Sequence, residues 1–259
     1  QREIAARRQA ERLGLPVPAL KTVAEDQTWF SEQYISSTPL NRLADPQTVE
    51  KAKQTAINAL NRLLEHTAEQ VAPEDYVAEL QTRVQTLIDN NHLLSADQKR
   101  MLRENAATLT AHVRRLSSIA GGQLATALTH GDFQPANVLV DGEPVWLIDW
   151  EYAARRQAGY DALVYALRAR FPQGLARRLN TFVAQGLEAN SAAQWIAWPG
   201  AGRKKADDRS LCGALFLLEE LRLHLEENAN PNFVQPGEGL PILMEEIAHW
   251  VSEWGRTDG

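Results

Sequence analysis

His130, Asp132, Asn137 and Asp149 stand in one stretch, HGDFQPANVLVDGEPVWLIDWE at residues 130–151, in an order and spacing suited to phosphoryl transfer from ATP. That reaction needs a carboxylate beside the acceptor hydroxyl and oxygen ligands for a divalent cation, with little covalent help from the protein. Asp132 suits the first task, orienting the hydroxyl and accepting its proton. Asn137 and Asp149 suit the second, because Mg²⁺ takes carboxylate and amide oxygens together with those of phosphate. His130 is expected to serve the loop as a structural hydrogen-bonding residue rather than as a base. Glu151, two residues past Asp149, reads either as a neighbour of the metal or acceptor or as a surface carboxylate.

Asn137 and Asp149 work together only if the chain brings them side by side. The residues between them read as a hairpin: apolar Val138-Leu139-Val140, a turn at Asp141-Gly142-Glu143, then Val145-Trp146-Leu147-Ile148. Folding about that turn returns Asp149 to a place beside Asn137. A plain hairpin with polar residues at its mouth is the competing reading, and the returning strand that ends in Ile148-Asp149 weighs against it.

Around this stretch the chain reads as mostly helical. Residues 1–15 form a helix stopped at Gly14, followed by strand-like runs at 19–24 and 28–35 with a turn at Glu25-Asp26-Gln27. Past Asp45-Pro46, one apolar stripe carries Val49, Ala52, Ala56, Ile57, Leu60, Leu63 and Leu64 at helical spacing. A second carries Val77, Leu80, Val84, Leu87 and Ile88. A third, behind the capping box Ser95/Gln98, carries Leu102, Leu109, Val113 and Leu116. Further helical runs cover 163–167, 175–187, about 207–227 and 241–254.

The whole chain has 259 residues, 44% apolar and 23% charged, enough for one large domain or a two-lobed one. A net charge of −6 argues against a nucleic-acid partner, and the one basic cluster, GRKK at 202–205, reads as a solvated loop. The longer stretch WPGAGRKK at 198–205 fails the spacing of a phosphate-binding glycine loop. A single cysteine, Cys212, excludes an intrachain disulfide, and no apolar run reaches membrane-spanning length, so the expectation is a soluble cytoplasmic protein.

Residues 130–161 resemble the aminoglycoside phosphotransferase and choline kinase superfamily, small-molecule relatives of protein kinases. Gly131 stands where protein kinases usually have Arg, IDWE replaces Asp-Phe-Gly, and Gln134 takes the place of the catalytic-loop Lys. The continuation IDWEYAARRQAGYDAL looks like the family's second motif, whose Asp, here Asp161, opens the next helix and braces the loop. The resemblance extends in order of elements over about residues 1–170. It implies an α+β, mostly helical fold: a protein-kinase-like C-terminal lobe over 37–259 with a partial N-terminal lobe over 1–36.

The same resemblance puts Glu3 where a helix carboxylate pairs with a phosphate-binding Lys. It puts Glu32, Gln33, Tyr34 and Ile35 at the adenine-binding linker, where backbone groups would read the base. A solvated helix carboxylate is the plain alternative for Glu3. Where the family has about three strands, a nucleotide-covering loop and that Lys ahead of the helix, this sequence starts at Gln1, and Lys21 comes after the helix. A longer protein carrying those elements is expected, with Glu3 left waiting for the missing Lys; a degenerate kinase-like module that binds nucleotide or protein without catalysis is the alternative.

ATP and Mg²⁺ are the implied donor and cofactor, with Asn137 and Asp149 binding both. The implied acceptor is a hydroxyl of an amino sugar, a choline-like amine, or a sugar or glycan. Carboxylates at Glu219, Glu220, Glu226, Glu227, Glu245 and Glu246 and five of seven tryptophans from Trp150 onward would suit a cation. Paired glutamates on a helix, however, read as a solvated face, and Trp254 as core.

Overall fold

Caps and turns set most element ends. The computed structural model describes residues 1–120, 122–142, 144–187, 206–229 and 232–257. Glu143 of the hairpin turn, the stretch 198–205 with its basic cluster and the Trp254 side chain therefore lie outside the described part. Helix α1 (Arg2–Arg12) ends at Leu13, and Gly14 follows with φ +68°, a left-handed value that glycine adopts without strain. Strands β1 (Leu20–Val23) and β2 (Phe30–Glu32) pair antiparallel across a turn in which Asp26 Oδ1 accepts the Thr28 N–H at 3.0 Å. The second strand stops at Glu32, short of the Ile35 expected, after which the Gln33 N–H bonds the Ala19 carbonyl at 2.8 Å.

After a two-residue strand β3 (Thr38–Pro39), Asp45 caps α2 (Pro46–Thr67) by accepting the Thr48 N–H at 2.8 Å, with Pro46 in the first turn. Strand β4 (Glu69–Val71) leads to α3 (Pro73–Asn90) and α4 (Ala96–Ala120). Ser95 and Gln98 close a reciprocal capping box at the start of α4, at 2.9 and 3.2 Å. The remaining elements are β5 (Leu124–Thr129), β6 (Val138–Val140), β7 (Val145–Leu147), β8 (Ala154–Gln157), α5 (Tyr160–Ala166), α6 (Leu175–Gln185), α7 (Ala206–Glu227) and α8 (Gly239–Thr257). The result is a mostly helical α+β fold with small antiparallel sheets.

Two units divide the chain. The first joins Gln1–Glu69 to Thr126–Ala166. Its sheet β3–β6–β7 is antiparallel, with Val138 opposite Leu147 and Val140 opposite Val145. β5 pairs with β8, Thr129 opposite Ala154. The α2 stripe is buried at Ala52, Ala56, Ile57, Leu60, Leu63 and Leu64. Every residue assigned from sequence to catalysis, nucleotide or metal belongs to this unit.

The second unit takes 70–125 and the described residues after Leu167, and is a helical assembly of α3, α4, α6, α7 and α8. Its core takes Val77, Leu80, Val84 and Ile88 from α3 and Leu102, Leu109, Val113 and Leu116 from α4. Helix α7 is buried nearly all round, as a central helix must be. Glu219 and Glu220 are fully buried on it, so the solvated face expected for this pair is wrong. Tyr76 donates its hydroxyl to Glu219, and Arg170 pairs with Glu220 at 2.8 Å; partners from distant sequence, not the local pattern, decide their burial. No described helix is long and apolar enough to cross a membrane.

Candidate active site

The loop that follows β5 is held from below by one carboxylate. Asp161, near the start of α5 and buried, accepts the His130 N–H at 2.7 Å and the Gly131 N–H at 2.8 Å, one on each oxygen. Burial pushes its acid above the ordinary value; the two amides and Arg156 pull the other way, and His130 would join them only with a protonated ring. Gly131 is required here: φ is +89°, and a Cβ would stand 2.2 Å from the Tyr152 carbonyl oxygen.

His130 has both ring nitrogens engaged. Nε2 faces the Ile148 carbonyl at 2.9 Å and must donate to it, while Nδ1 accepts the Asp132 N–H at 3.3 Å. That pattern assigns a neutral ring with its proton on Nε2. The ring also packs against buried Trp150, centroids 4.6 Å apart. Its place is in the loop's framework.

Asp132 and Asn137 are locked to each other. Asn137 Nδ2 donates to Asp132 Oδ2 at 2.7 Å and to the Asp132 carbonyl at 2.9 Å, and Gln134 Nε2 donates to Oδ2 at 2.9 Å. With both amide hydrogens directed at Asp132, the acceptor oxygen of Asn137 is left without a hydrogen bond among the described residues. The hairpin register carries on beyond the strands through a 3.1 Å bond from the Ile148 N–H to the Asn137 carbonyl, so Asp149 follows directly on the residue paired with Asn137. Asp149 takes φ +67°, unusual for a residue with a side chain and worth a functional look.

Asp149 is the electrostatic centre of this corner. Although its side chain keeps contact with solvent, partial burial and then Glu151, Asp132, Glu3 and Glu32 push its acid up to about 6. Glu3 is raised as well, by burial first, with Arg7 pulling it down and Glu151 and Glu32 pushing it up. Glu3 does not wait unpaired: Arg7, one turn on in α1, approaches it to 3.5 Å, holds Glu32 and the Pro18 carbonyl (2.9 Å), and lies over the Phe30 ring at 5.1 Å. Sequence reasoning missed Arg7; its place four residues after Glu3 on a helix was the available signal. Past Glu32, the main-chain groups of Tyr34 and Ile35 stay outside the bonds of the β1–β2 ladder, and Tyr34 is exposed.

Among the described residues no three His, Cys, Asp or Glu side chains come together to hold a metal. Residues that could hold one are Asn137, through its amide oxygen, and Asp149, through its carboxylate. That pair suits Mg²⁺, which keeps several waters and binds through one or two protein oxygens plus phosphates. Carboxylates crowded enough to raise an acid are relieved by a cation.

A family model described as "Phosphotransferase enzyme family" matches residues 1–199. No curated protein matches the chain. Among solved structures, it is similar to choline kinase LicA from Streptococcus pneumoniae at 16% identity and TM-score 0.57, covering 97% of this chain and 80% of that one. It is similar to a choline kinase from Cryptosporidium parvum Iowa II at 11% identity and TM-score 0.51, covering 98% and 77%. A glucosamine kinase matches at 16% identity and TM-score 0.46, covering 97% and 68%. At these identities the likeness to the two choline kinases is one of fold.

Proposed function

The chain belongs to the phosphotransferase enzyme family, and from that premise we propose that it transfers the γ-phosphoryl group of ATP to a hydroxyl of a small molecule. The observation that carries this reading is the Asp132–Asn137 lock, which commits the amide nitrogen to the carboxylate and leaves the amide oxygen for a cation. Asp132 orients the acceptor hydroxyl and accepts its proton as the oxygen bonds to phosphorus and ADP leaves. Asn137 and Asp149 would hold Mg²⁺, whose charge when bound neutralises that of the nucleotide phosphates. Main-chain groups at 32–35, where the resemblance puts the adenine-binding linker, are the candidate adenine contacts. Asp161 and His130 shape the loop, and Glu151 adds to the negative field at Asp149.

An amino sugar, a choline-like amine or a plain sugar or glycan are the acceptor classes in question. The test is acceptor-dependent ADP release in the presence of Mg²⁺, over a panel of choline, ethanolamine, glucosamine, aminoglycosides and neutral sugars. Release with one class, abolished by Asp132→Ala, is the expected outcome. One observation favours a second reading, a kinase-like module that binds without catalysis: Glu3 already has its cation in Arg7 of the same helix. Nucleotide binding by calorimetry with no turnover on any acceptor would select that reading.

A further inference from the structure

Arg156 of β8 is wholly buried, and no carboxylate among the described residues is within ion-pair distance of it. Its Nη1 donates to Thr129 Oγ1 at 2.9 Å, and that hydroxyl donates in turn to the Ala154 carbonyl at 2.9 Å. The guanidinium lies over the Tyr160 ring, 4.4 Å from its centroid. Nε and Nη2 have no hydrogen-bond partner among the described residues. A buried cation held so sparsely is costly, and its position explains what offsets that cost. Thr129 immediately precedes His130 and Tyr160 immediately precedes Asp161, so the guanidinium is anchored beside both halves of the brace under the catalytic loop.

We propose that Arg156 is a positioning residue whose buried charge keeps Asp161 anionic, so that both of its oxygens accept the loop amides and fix Asp132. The groups facing Asp161 are the two amides and the His130 ring from the loop, and Arg156 from β8. The ring's hydrogen bonds make it neutral, so the compensating charge comes from Arg156. A protonated Asp161 would present a hydroxyl to one of the two N–H groups and release it. Gly131, which has no room for even a Cβ beside the Tyr152 carbonyl, would then shift and move Asp132 with it.

The effect on turnover rests on the phosphotransferase reading; the effect on folding does not. Arg156→Met, Arg156→Lys, Asp161→Asn and the Met/Asn double variant, all in the whole protein, are compared by kcat against pH and by denaturant unfolding against pH. Arg156→Met should lower kcat about tenfold or more with little change in the KM for ATP, and move its acid limb up by about one pH unit. Arg156→Lys should return the limb toward the parent.

In unfolding, Arg156→Met should lose stability relative to the parent as pH rises, because folded Asp161 then holds its proton to higher pH than the unfolded chain does. That pH-dependent difference should vanish in the Asp161→Asn background. An unmoved acid limb, or a difference that persists without the Asp161 carboxylate, overturns the proposal. If Arg156→Met fails to fold, Arg156→Lys decides: with charge kept and shape changed, a parental acid limb supports the proposal and a displaced one overturns it. If no acceptor supports turnover, the unfolding cycle alone decides.

Discussion

The corner around Asp149 and the glutamate pair on α7 both gather carboxylates, and they treat them in opposite ways. On α7, fully buried Glu219 takes the Tyr76 hydroxyl and Glu220 takes Arg170, with an uncharged His224 ring close by whose basicity burial suppresses. Around Asp149, partial burial first and then the carboxylates of Glu151, Asp132, Glu3 and Glu32 lift its acid to about 6. The first arrangement is complete without any ligand. In the second, Arg7 offsets Glu3 and Glu32, yet the Asp149 acid is still raised, a strain that a bound cation would relieve.

If that contrast holds, mutating the corner should cost rate and mutating the pair should cost stability. The largest effect is expected for Asp132→Ala, a fall in turnover of about 10²–10⁴-fold with nucleotide affinity by calorimetry nearly unchanged. Near-parental turnover would remove Asp132 from the chemistry. Next, Arg170→Met leaves Glu220 buried without its cation and should cost about 3–5 kcal/mol in chemical denaturation. Adding Glu220→Gln should recover much of that loss, and a harmless Arg170→Met would break the comparison.

Ligand linkage sharpens the other side. At a hundredfold excess over its dissociation constant, Mg²⁺–ADP should stabilise the parent by about 2.7 kcal/mol and Asp149→Asn far less. Equal stabilisation of both proteins by thermal shift would take Asp149 out of the metal site. The smallest effect is on the ligand-free protein. Because the Asp149 acid is raised in the folded state, its contribution is most favourable below the unfolded value and is lost as pH rises through about 6. Asp149→Asn should therefore be more stable than the parent at pH 7.5, by less than about 1 kcal/mol given solvent screening, and the gain should fade toward pH 4. A gain independent of pH would mean that charge crowding is not the cause.

Legibility in the sequence followed the distance over which each feature is decided. The β6–β7 hairpin and the α2 and α4 caps are local, and their residues announced them. Strands β5 and β8 went unread because Leu-Ala-Thr-Ala-Leu-Thr has weak strand character and Ala-Arg-Arg-Gln looks like a solvated turn. Only long-range pairing makes them strands and buries Arg156. β3 is too short for any periodicity to show. The candidate loop was legible as a motif, whereas the buried cations near it, Arg7 and Arg156, were not. Both are arginines whose burial depends on elements elsewhere in the chain.

The hairpin also works as a length-independent ruler. Cross-strand pairing, not the number of residues around the bend, sets Ile148 opposite Asn137 and so places Asp149 next along. Gly142 at the bend has nothing among the described residues within 4 Å of where a side chain would begin. Residues inserted at the bend, even a reporter peptide, should therefore leave the pairing of Asn137 with Ile148, and so the place of Asp149, unchanged. A single residue inserted within β6 or β7 would turn every later side chain of that strand to the opposite face. Variation in the chain should accumulate at the tip and be barred from the strands, a pattern that a library of insertions would display directly.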